Sequence, residues 1–519
     1  MSDKILNLPK SLALLFAVMS GALITLSFAP FSLWPVTLVS LVVYALLLKE
    51  QDFKTILLRT FAFGVGFYGA GIHWIYTSIH NFGGASPLFA AFLVLCFACF
   101  MALLFCIPFY VYGKWFRHHR FALMLALPAC WMLGEWIRTW LFTGFPWLFL
   151  GYAHLDTWLA GWAPVAGVIS ISFILVFSAG IIAEWVWRYK NHGRDTYLIA
   201  LSCVAIFFWL TGAGLKTITW AHPETTPINV AMVQPNVDQS IKLRFDEEST
   251  NTALNQLRDL SQDLWTNDWV IWPEAAIPTS LTFHEALPFL EDINKQAAIN
   301  ESALFTGVIY EDRNQRKYYN SIVGLGNGYG FYHKRRLVPF GEYVPFEEQL
   351  RGWIEFFNLP TSFIHLGPKD QHGLIANGTR ITPAVCYEIV YPDLIATSAR
   401  ETQVLLNVNN LGWFLDSIQS KQFMQMAQMR ALETGRYLVY STNNGPSAII
   451  DNKGKILSHS ESFKAQTFTG TIYPVKDWTP FMIVTSGPVV ILGTLLLLAL
   501  ALPQILRKTT GEGSETNHS

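Results

Sequence analysis

The stretch A-V-C-Y-E-I-V-Y-P, Ala384 to Pro392, holds the only cysteine in the long polar part of this 519-residue chain. The other five, Cys96, Cys99, Cys106, Cys130 and Cys203, stand in strongly apolar runs. A lone cysteine closes no internal disulfide, so Cys386 is either a packed small hydrophobe or a nucleophile. By itself the residue leaves both readings open, because free cysteine is often buried. Its surroundings narrow the choice. An apolar strand pattern, Thr379 to Cys386, runs into it, and Pro392 suits the first turn of a helix just beyond. A strand that closes on a chemically useful residue and hands over to a helix is how alternating α/β folds assemble a site.

The same alternation extends on both sides of that stretch. Ile228 to Val233 is a short buried-strand pattern, and Trp269 to Trp272 is a second, stopped by Pro273. Residues 303–309, 404–408, 437–442, 446–451 and 467–472 read as further strands. Stretches 247–264, 284–300 and 416–434 read as helices, the last closed by Gly435. Tyr318 to Leu325 and Gly330 to Leu337 look like paired strands about the turn at Asn327-Gly328. Helix-linked strands alternating with hairpins fit an αββα sandwich of the α+β class.

Elsewhere the chain is far more apolar. Over its whole length 52% of residues are apolar and 14% charged, which places it in the membrane class. Runs near 11–28, 30–48, 58–78, 86–112, 121–138, 158–187, 197–215 and 482–506 match the roughly 20 apolar residues that a span needs. Ala29-Pro30 divides the first two, since proline cannot continue the first helix. Spans continue beyond the first, which argues against a cleavable signal peptide.

Charge orients the bundle. Lys4 and Lys10 precede the first span. Lys49, Lys54 and Arg59 follow the second, Lys114, Arg117 and Arg120 the fourth, and Arg188, Lys190 and Arg194 the sixth; Arg507 and Lys508 follow the last. The turns 29–32 and 80–87 carry no Lys or Arg. Basic loops stay in the cytoplasm, so the N-terminus lies inside. The expected organisation is a bundle of about seven spans over 1–219, an extracytoplasmic domain over 220–480, a C-terminal transmembrane helix over 481–508 and a disordered polar tail over 509–519. A net charge of -1 and the absence of a basic stripe give no footing for nucleic acid as a partner.

Three residues at strand ends or turns have chemistry to offer: Glu274 in W-P-E-A-A-I-P, Lys334 in Y-H-K-R-R-L-V-P-F-G-E, and Cys386. Singly each has a plainer reading, a solvated loop acid, one of three neighbouring surface cations, and a packed thiol. Together they supply a base, a cation and a nucleophile. A thiol at its reference value is only a few per cent thiolate at neutral pH, so a carboxylate within reach must take its proton as it attacks a carbonyl. The oxyanion that forms needs a cation or backbone N–H groups. The product is a thioester, and neither a metal nor a cofactor is called for.

The run 226–475 resembles the nitrilase superfamily, whose signature is a Glu-Lys-Cys triad on an αββα sandwich. The matching pieces are W-P-E at 272–274, H-K at 333–334 and C-Y-E at 386–388. E-W-I-R-T-W-L-F-T-G-F-P-W at 135–147, L-V-P-F-G-E at 337–342 and M-R-A-L-E-T-G-R-Y at 429–437 are similar to one membrane-embedded branch, the apolipoprotein N-acyltransferases. The resemblance implies a bacterial inner-membrane enzyme with its nitrilase-like catalytic domain in the periplasm. In that reaction a fatty acyl chain leaves a membrane phospholipid for Cys386. It then passes to the N-terminal α-amine of a diacylglyceryl-cysteine on an apolipoprotein. Glu274, Lys334 and Cys386 are then catalytic. The resemblance gives supporting roles to Glu342, Tyr387 and Glu388, the last two with strand-end packing and a surface carboxylate as the plainer reading; Asn236 and the pair Trp413-Phe414 line the pocket.

Several positions depart from the family pattern. Where it has Asn-Asp-x-Trp-Phe-Gly, this chain reads N-N-L-G-W-F-L at 409–415, with Leu411 at the aspartate position and Leu415 at the glycine position. A histidine-containing segment is expected near Asp416, but Q-S-K-Q-F stands at 419–423, and the Lys-Trp pair after the first strand is Lys242-Leu243, with Phe245 near it. Acceptor or acyl preference is where these changes bear. Two other readings use the same sequence: a membrane-tethered carbon–nitrogen hydrolase, in which water resolves the thioester, and a transporter with an external binding domain. The many spans weigh against the first, since one anchor would suffice. Acidic residues placed near span ends rather than mid-span weigh against the second. Two more expectations complete the reading. The apolar segment 347–360 is either a lid dipping into the bilayer or a cover on the domain's own core. Glu135 with Arg138, and Glu184 with Arg188, form structural pairs on helix faces.

Overall fold

The computed structural model describes residues 8–189, 195–242, 246–343 and 364–509, the side chains of 504–509 aside. Expectations that fall on Lys4, Lys190, Arg194, Leu243, Phe245, the segment 347–360, the tail beyond 509 and the side chains of Arg507 and Lys508 lie outside the described residues. The chain divides into two compact units. One comprises residues up to His73, Ala91–Ile218 and Ser486 onward; the other comprises Trp74–Ala90 and Thr219–Thr485. The inclusion of Trp74–Ala90 with the polar domain was not expected from composition, which divides that stretch between the ends of two spans and the turn 80–87.

The first unit is built from the apolar runs, which fold as helices because such runs must satisfy their backbone groups internally. Helices occupy Lys10–Leu23, Pro35–Leu48, Phe53–Gly71, Pro87–Val111, Leu127–Ile137, Ala163–Arg188, Thr196–Thr217 and Gly487–Thr509. Asp52 caps the third of these, accepting the N–H groups of Lys54 and Thr55. The first and third helices touch through glycine: a Cβ on Gly21 would sit 2.1 Å from the Phe63 carbonyl oxygen, and one on Gly66 2.0 Å from that of Val18. Small residues at such crossings let membrane helices pack closely. Lys10–Ser27, Pro87–Phe116, Trp158–Arg188 and Thr196–Thr217 are each long and apolar enough to cross a bilayer. Pro35–Leu48, Ala122–Ile137 and Gly487–Pro503 are shorter, and Phe53–Gly71 bends by 61° into Ile75–Phe82. The chain is therefore a multi-pass membrane protein.

Charges inside this unit are partnered. Glu184 and Arg188 form the expected pair at 2.8 Å, and Lys49 adds a second cation to the same carboxylate at 2.8 Å. Glu135 and Arg138 feel each other's charge, but the helix ends between them and their hydrogen bonds go to other groups. Glu135 accepts the Trp131 indole N–H and the Leu150 backbone N–H, both at 3.0 Å. Arg138 donates to the Trp147 carbonyl at 2.7 Å.

The second unit is an αββα sandwich, as the order of elements predicts. Among the described residues its strands are β1 (Ile228–Gln234), β2 (Trp269–Ile271), β3 (Ala303–Asp312), β4 (Lys317–Gly326), β5 (Gly328–Tyr329), β6 (Phe331–His333), β7 (Leu374–Ala376), β8 (Thr379–Val385), β9 (Val404–Asn409), β10 (Leu438–Thr442), β11 (Ala448–Ile450), β12 (Ile456–His459) and β13 (Gln466–Ile472). One sheet has the order β13-β1-β2-β3-β4-β6 and the other β12-β11-β10-β9-β8-β7-β5. Each contains a parallel trio, β1-β2-β3 and β8-β9-β10, with antiparallel strands outside it.

Alternation along the strands makes the layers. In β1, Val230 and Met232 face the other sheet, where they join Ile271, Phe305, Val385, Leu406, Val408 and Val439 in one buried core. Ala231 and Val233 point the other way, toward Leu254 and Leu257 of helix Glu247–Ser261 and Leu290 and Ile293 of helix Leu287–Ile299. On the far side, helix Ile418–Thr434 covers the second sheet, with Phe423 against Tyr440. The pairing expected across residues 327–328 is present between β4 and β6, from Ser321↔His333 to Val323↔Phe331. The second member is shorter than expected, however. The strand ends at His333, and Lys334 just beyond it still donates its N–H to the Asn320 carbonyl of β4 at 2.8 Å, so the lysine is held at the sheet's end.

Candidate active site

Both parallel trios point their carboxyl ends to one place. From the first sheet, β2 ends at Ile271 and runs through Trp272 and Pro273 to Glu274. From the second, β8 ends at Val385 and Cys386 follows at once. Residues just past parallel strand ends are where α/β sites collect, and these two obey that rule.

Backbone geometry aims each group. The Trp272 N–H donates to the Phe305 carbonyl at 2.8 Å and the Gly307 N–H to that of Pro273 at 3.2 Å, so the turn lies directly on β3. Only glycine fits beneath it: a Cβ on Gly307 would stand 2.7 Å from the Glu274 Cα and 2.6 Å from the Ala275 nitrogen. Ala275 then takes a φ of 47° and Cys386 a φ of 49°, both in the left-handed region that side chains seldom adopt. Strained backbone of this kind persists where the surroundings over-determine it. At Cys386 they do: the strand breaks into a short 3-10 turn, Cys386–Val390, and the Asn407 amide donates to the carbonyls of Ala384 (2.9 Å) and Cys386 (3.3 Å).

Glu388 fastens this bend to the lysine segment. Its carboxylate is fully buried, so the plainer expectation of a surface acid does not hold. One oxygen accepts the Val385 N–H at 2.8 Å. The other accepts the N–H groups of Arg335 (2.6 Å) and Arg336 (3.2 Å), and the Tyr332 hydroxyl donates to both. Tyr387 stacks edge-on against Tyr391 at 5.4 Å.

Lys334 is buried between two carboxylates. Its Nζ is 2.9 Å from Oε1 of Glu342 and 3.5 Å from Oε1 of Glu274. Asn320, on β4, donates its side-chain N–H to both of those oxygens, at 2.9 Å each. The second Glu274 oxygen accepts the backbone N–H of Asn410 at 2.8 Å. Burial by itself would push the lysine down, but Glu342 first and Glu274 second outweigh it and hold the ammonium above its usual value. Burial also pushes the Cys386 thiol well up, the Glu274 charge and a hydrogen bond to it act the same way, and Lys334 opposes. The resting arrangement is a thiol beside a buried carboxylate and a permanent cation.

The other expected residues lie around this centre. Asn236, at a φ of 53°, donates its N–H to the Asn443 carbonyl at 2.8 Å. The Asn443 side chain in turn meets the backbone of Val237 and the Asn410 side chain. Trp413 packs its ring against Phe82 at 5.6 Å, and Phe414 against Trp74 at 4.9 Å, so this wall of the domain is shared with the segment 74–90. Asn320, Asn407 and Asn410 were not picked out from sequence. Asn320 carried a faint signal, a lone amide in the apolar run of β4; a backbone donor such as that of Asn410 carries none.

Comparison with known proteins shows the family. Residues 20–181 match the family model described as apolipoprotein N-acyltransferase N-terminal domain, and 229–476 match carbon-nitrogen hydrolase. The apolipoprotein N-acyltransferase of Pseudomonas syringae pv. tomato is 41% identical over 487 residues, 93% of this chain and 95% of the relative. That of Pseudomonas putida is also 41% identical over the same shares, and that of Coxiella burnetii is 36% identical over 91% and 96%.

Proposed function

The chain belongs to the apolipoprotein N-acyltransferase family, and we propose that it moves a fatty acyl chain from a membrane phospholipid to the α-amine of a lipoprotein's diacylglyceryl-cysteine, with Cys386 as the carrier. It is an acyltransferase by that membership. The convergence of Glu274, Lys334 and Cys386 at the ends of two sheets supports the two-step reading.

In the first step Glu274 takes the thiol proton as the sulfur attacks the ester carbonyl of the phospholipid. The Lys334 ammonium faces the oxyanion that develops, and the lysine needs no proton transfer to do so. As the tetrahedral intermediate collapses, the carbon–oxygen bond breaks and protonated Glu274 returns its proton to the leaving lysophospholipid. A thioester remains on Cys386. In the second step the acceptor amine attacks that thioester; Glu274 takes a proton from the nitrogen and passes it to the sulfur as the carbon–sulfur bond breaks, leaving the amide, the free thiol and an ionised Glu274. A raised thiol suits this scheme, because proton removal is coupled to attack rather than completed beforehand. In the bacterial inner membrane, with eight spans and basic loops in the cytoplasm, the domain would face the periplasm, where both lipid-anchored substrates present their reacting groups.

Separable half-reactions test the reading. Given phospholipid alone, the purified protein should release about one lysophospholipid per site, hold a hydroxylamine-labile acyl mass on Cys386 and stall. A diacylglyceryl peptide with a free amine should clear the adduct, and its N-acetylated form should not. A thioester that water clears as fast as the amine does would instead mark a hydrolase and overturn the transferase assignment.

A further inference from the structure

One buried cation beside Glu274 takes no part in the steps above. The four-residue helix Gln239–Lys242 places two buried side chains, three positions apart, on the two flanks of that carboxylate. Gln239 accepts the Asn410 side-chain N–H at 2.9 Å, and the Asn410 backbone N–H is the 2.8 Å donor to Glu274. On the other flank Lys242 donates from Nζ to the Ala275 carbonyl at 3.1 Å. Ala275 is the left-handed residue on which the Glu274 turn depends. Beside Lys242 lies a small cavity of about 10 Å³, lined by Val237, Thr250, Ala253, Ala276 and Pro278 among others. That is room for about one water. Burial pushes the Lys242 ammonium down to about 8, with the Glu274 charge opposing, so at neutral pH it is still mostly charged.

We infer that Lys242 is a positioning residue for Glu274: its ammonium pins the Ala275 carbonyl, and with it the turn that aims the carboxylate, while its charge favours the ionised form that accepts the thiol proton. The inference rests on the reading of Glu274 as the base. Charges facing that carboxylate are otherwise those of Lys334 and Glu342, with the Cys386 thiol and the neutral amides of Asn320 and Asn410. Lys334 is shared with Glu342, whereas Lys242 has no second carboxylate beside it among the described residues.

The test is single-turnover acylation of Cys386 by phospholipid in the full-length protein in detergent, followed across pH by intact mass. Lys242→Met should slow acylation about tenfold or more at pH 6 and move the acid limb of the profile upward by about half a unit or more, as loss of a nearby opposite charge does. Lys242→Gln, close in shape and still able to donate to Ala275, should recover part of the rate but keep the displaced limb. Lys242→Arg should return the limb to the wild-type position. Rate loss with an unmoved limb in both Lys242→Met and Lys242→Gln would leave Lys242 a purely structural residue and overturn the inference alone. Should Lys242→Met fail to fold, the limb of Lys242→Gln decides. Normal acylation by Glu274→Gln would overturn the reading of the base itself, and this inference with it.

Discussion

Lys334 leans toward Glu342 rather than Glu274, at 2.9 Å against 3.5 Å. The nearer carboxylate carries the shorter of two ion pairs, and on the proposed reading the looser hold on Glu274 lets it exchange a proton with Cys386. Glu342→Gln should therefore draw the ammonium onto Glu274 and slow thioester formation roughly 10- to 100-fold, since a base locked in an ion pair is a poor base. Lys334→Met should lose on the order of 10² or more through the unsupported oxyanion. Quenched single turnovers read by mass measure both. Wild-type acylation by Glu342→Gln would show that the second carboxylate is dispensable.

The thiol should titrate high. Burial, then the Glu274 charge, raise Cys386 well above its ordinary value, so the group stays protonated through the neutral range and ionises only as pH climbs past it. Alkylation of Cys386 by iodoacetamide, followed on its peptide, should keep rising beyond about pH 9 without a plateau. Glu274→Gln removes one of the raising charges and leaves Lys334, so its alkylation curve should shift to lower pH even as acyl transfer is lost. A plateau near pH 7 in the wild type would mean a resting thiolate instead.

Glu388 should behave as a fastening whose loss is felt in folding as well as in rate. An amide in place of its carboxylate turns one acceptor into a donor facing backbone N–H groups. Glu388→Gln should cost about 3 kcal/mol and lower the melting temperature in detergent. Tyr332→Phe, which removes a single donor, should cost about 1 kcal/mol. A melting temperature unchanged in Glu388→Gln would disprove the role.

Leu415 occupies the position where the family pattern has glycine, and its backbone explains the preference. It adopts φ 46° with ψ -150°, a region essentially reserved for glycine, and its side chain is 40% exposed. Leu415→Gly should stabilise the protein by roughly 1 kcal/mol, because relieved strain outweighs the little burial lost. Leu415→Ala keeps the strain and should give no gain. Thermal unfolding of the two variants side by side separates them.

Membrane orientation is open to reporter fusions. Alkaline phosphatase joined at Ser462 should be active and joined at Glu50 inactive, given the basic loops around the latter. The reverse pattern would remove the periplasmic reading of the domain.

Much of this was legible in the residues, and the part that was not has a common cause. Strand ends announced themselves through apolar runs stopped by proline or by a polar residue, which is how Glu274 and Cys386 came to attention. The short strands β5, β7 and β12 were missed because two to four residues carry too little periodicity to read. For Glu388 only the resemblance pointed to a supporting role, and a surface acid stayed the plainer reading, since its partners are mostly backbone N–H groups, which no sequence displays. Asn410 is hidden in the same way. The inclusion of Trp74–Ala90 with the domain depends on ring contacts such as Trp74 with Phe414, between residues far apart in the chain. Apolar composition alone divides that segment between two spans and the turn that joins them.

Glu274 and Lys334 hang from one sheet, while Cys386 and the Asn410 donor hang from the other. Among the described residues no ladder of hydrogen bonds joins the two sheets; side chains such as Met232 and Val408 set their spacing. On the proposed reading the reacting atoms thus form a vernier on the interior, in which a small slide of one layer over the other is read out as misaligned sulfur and carboxylate. Such a molecule can lose its chemistry while every strand remains paired, and its activity is a finer gauge of how well the interior fits than its melting point can be.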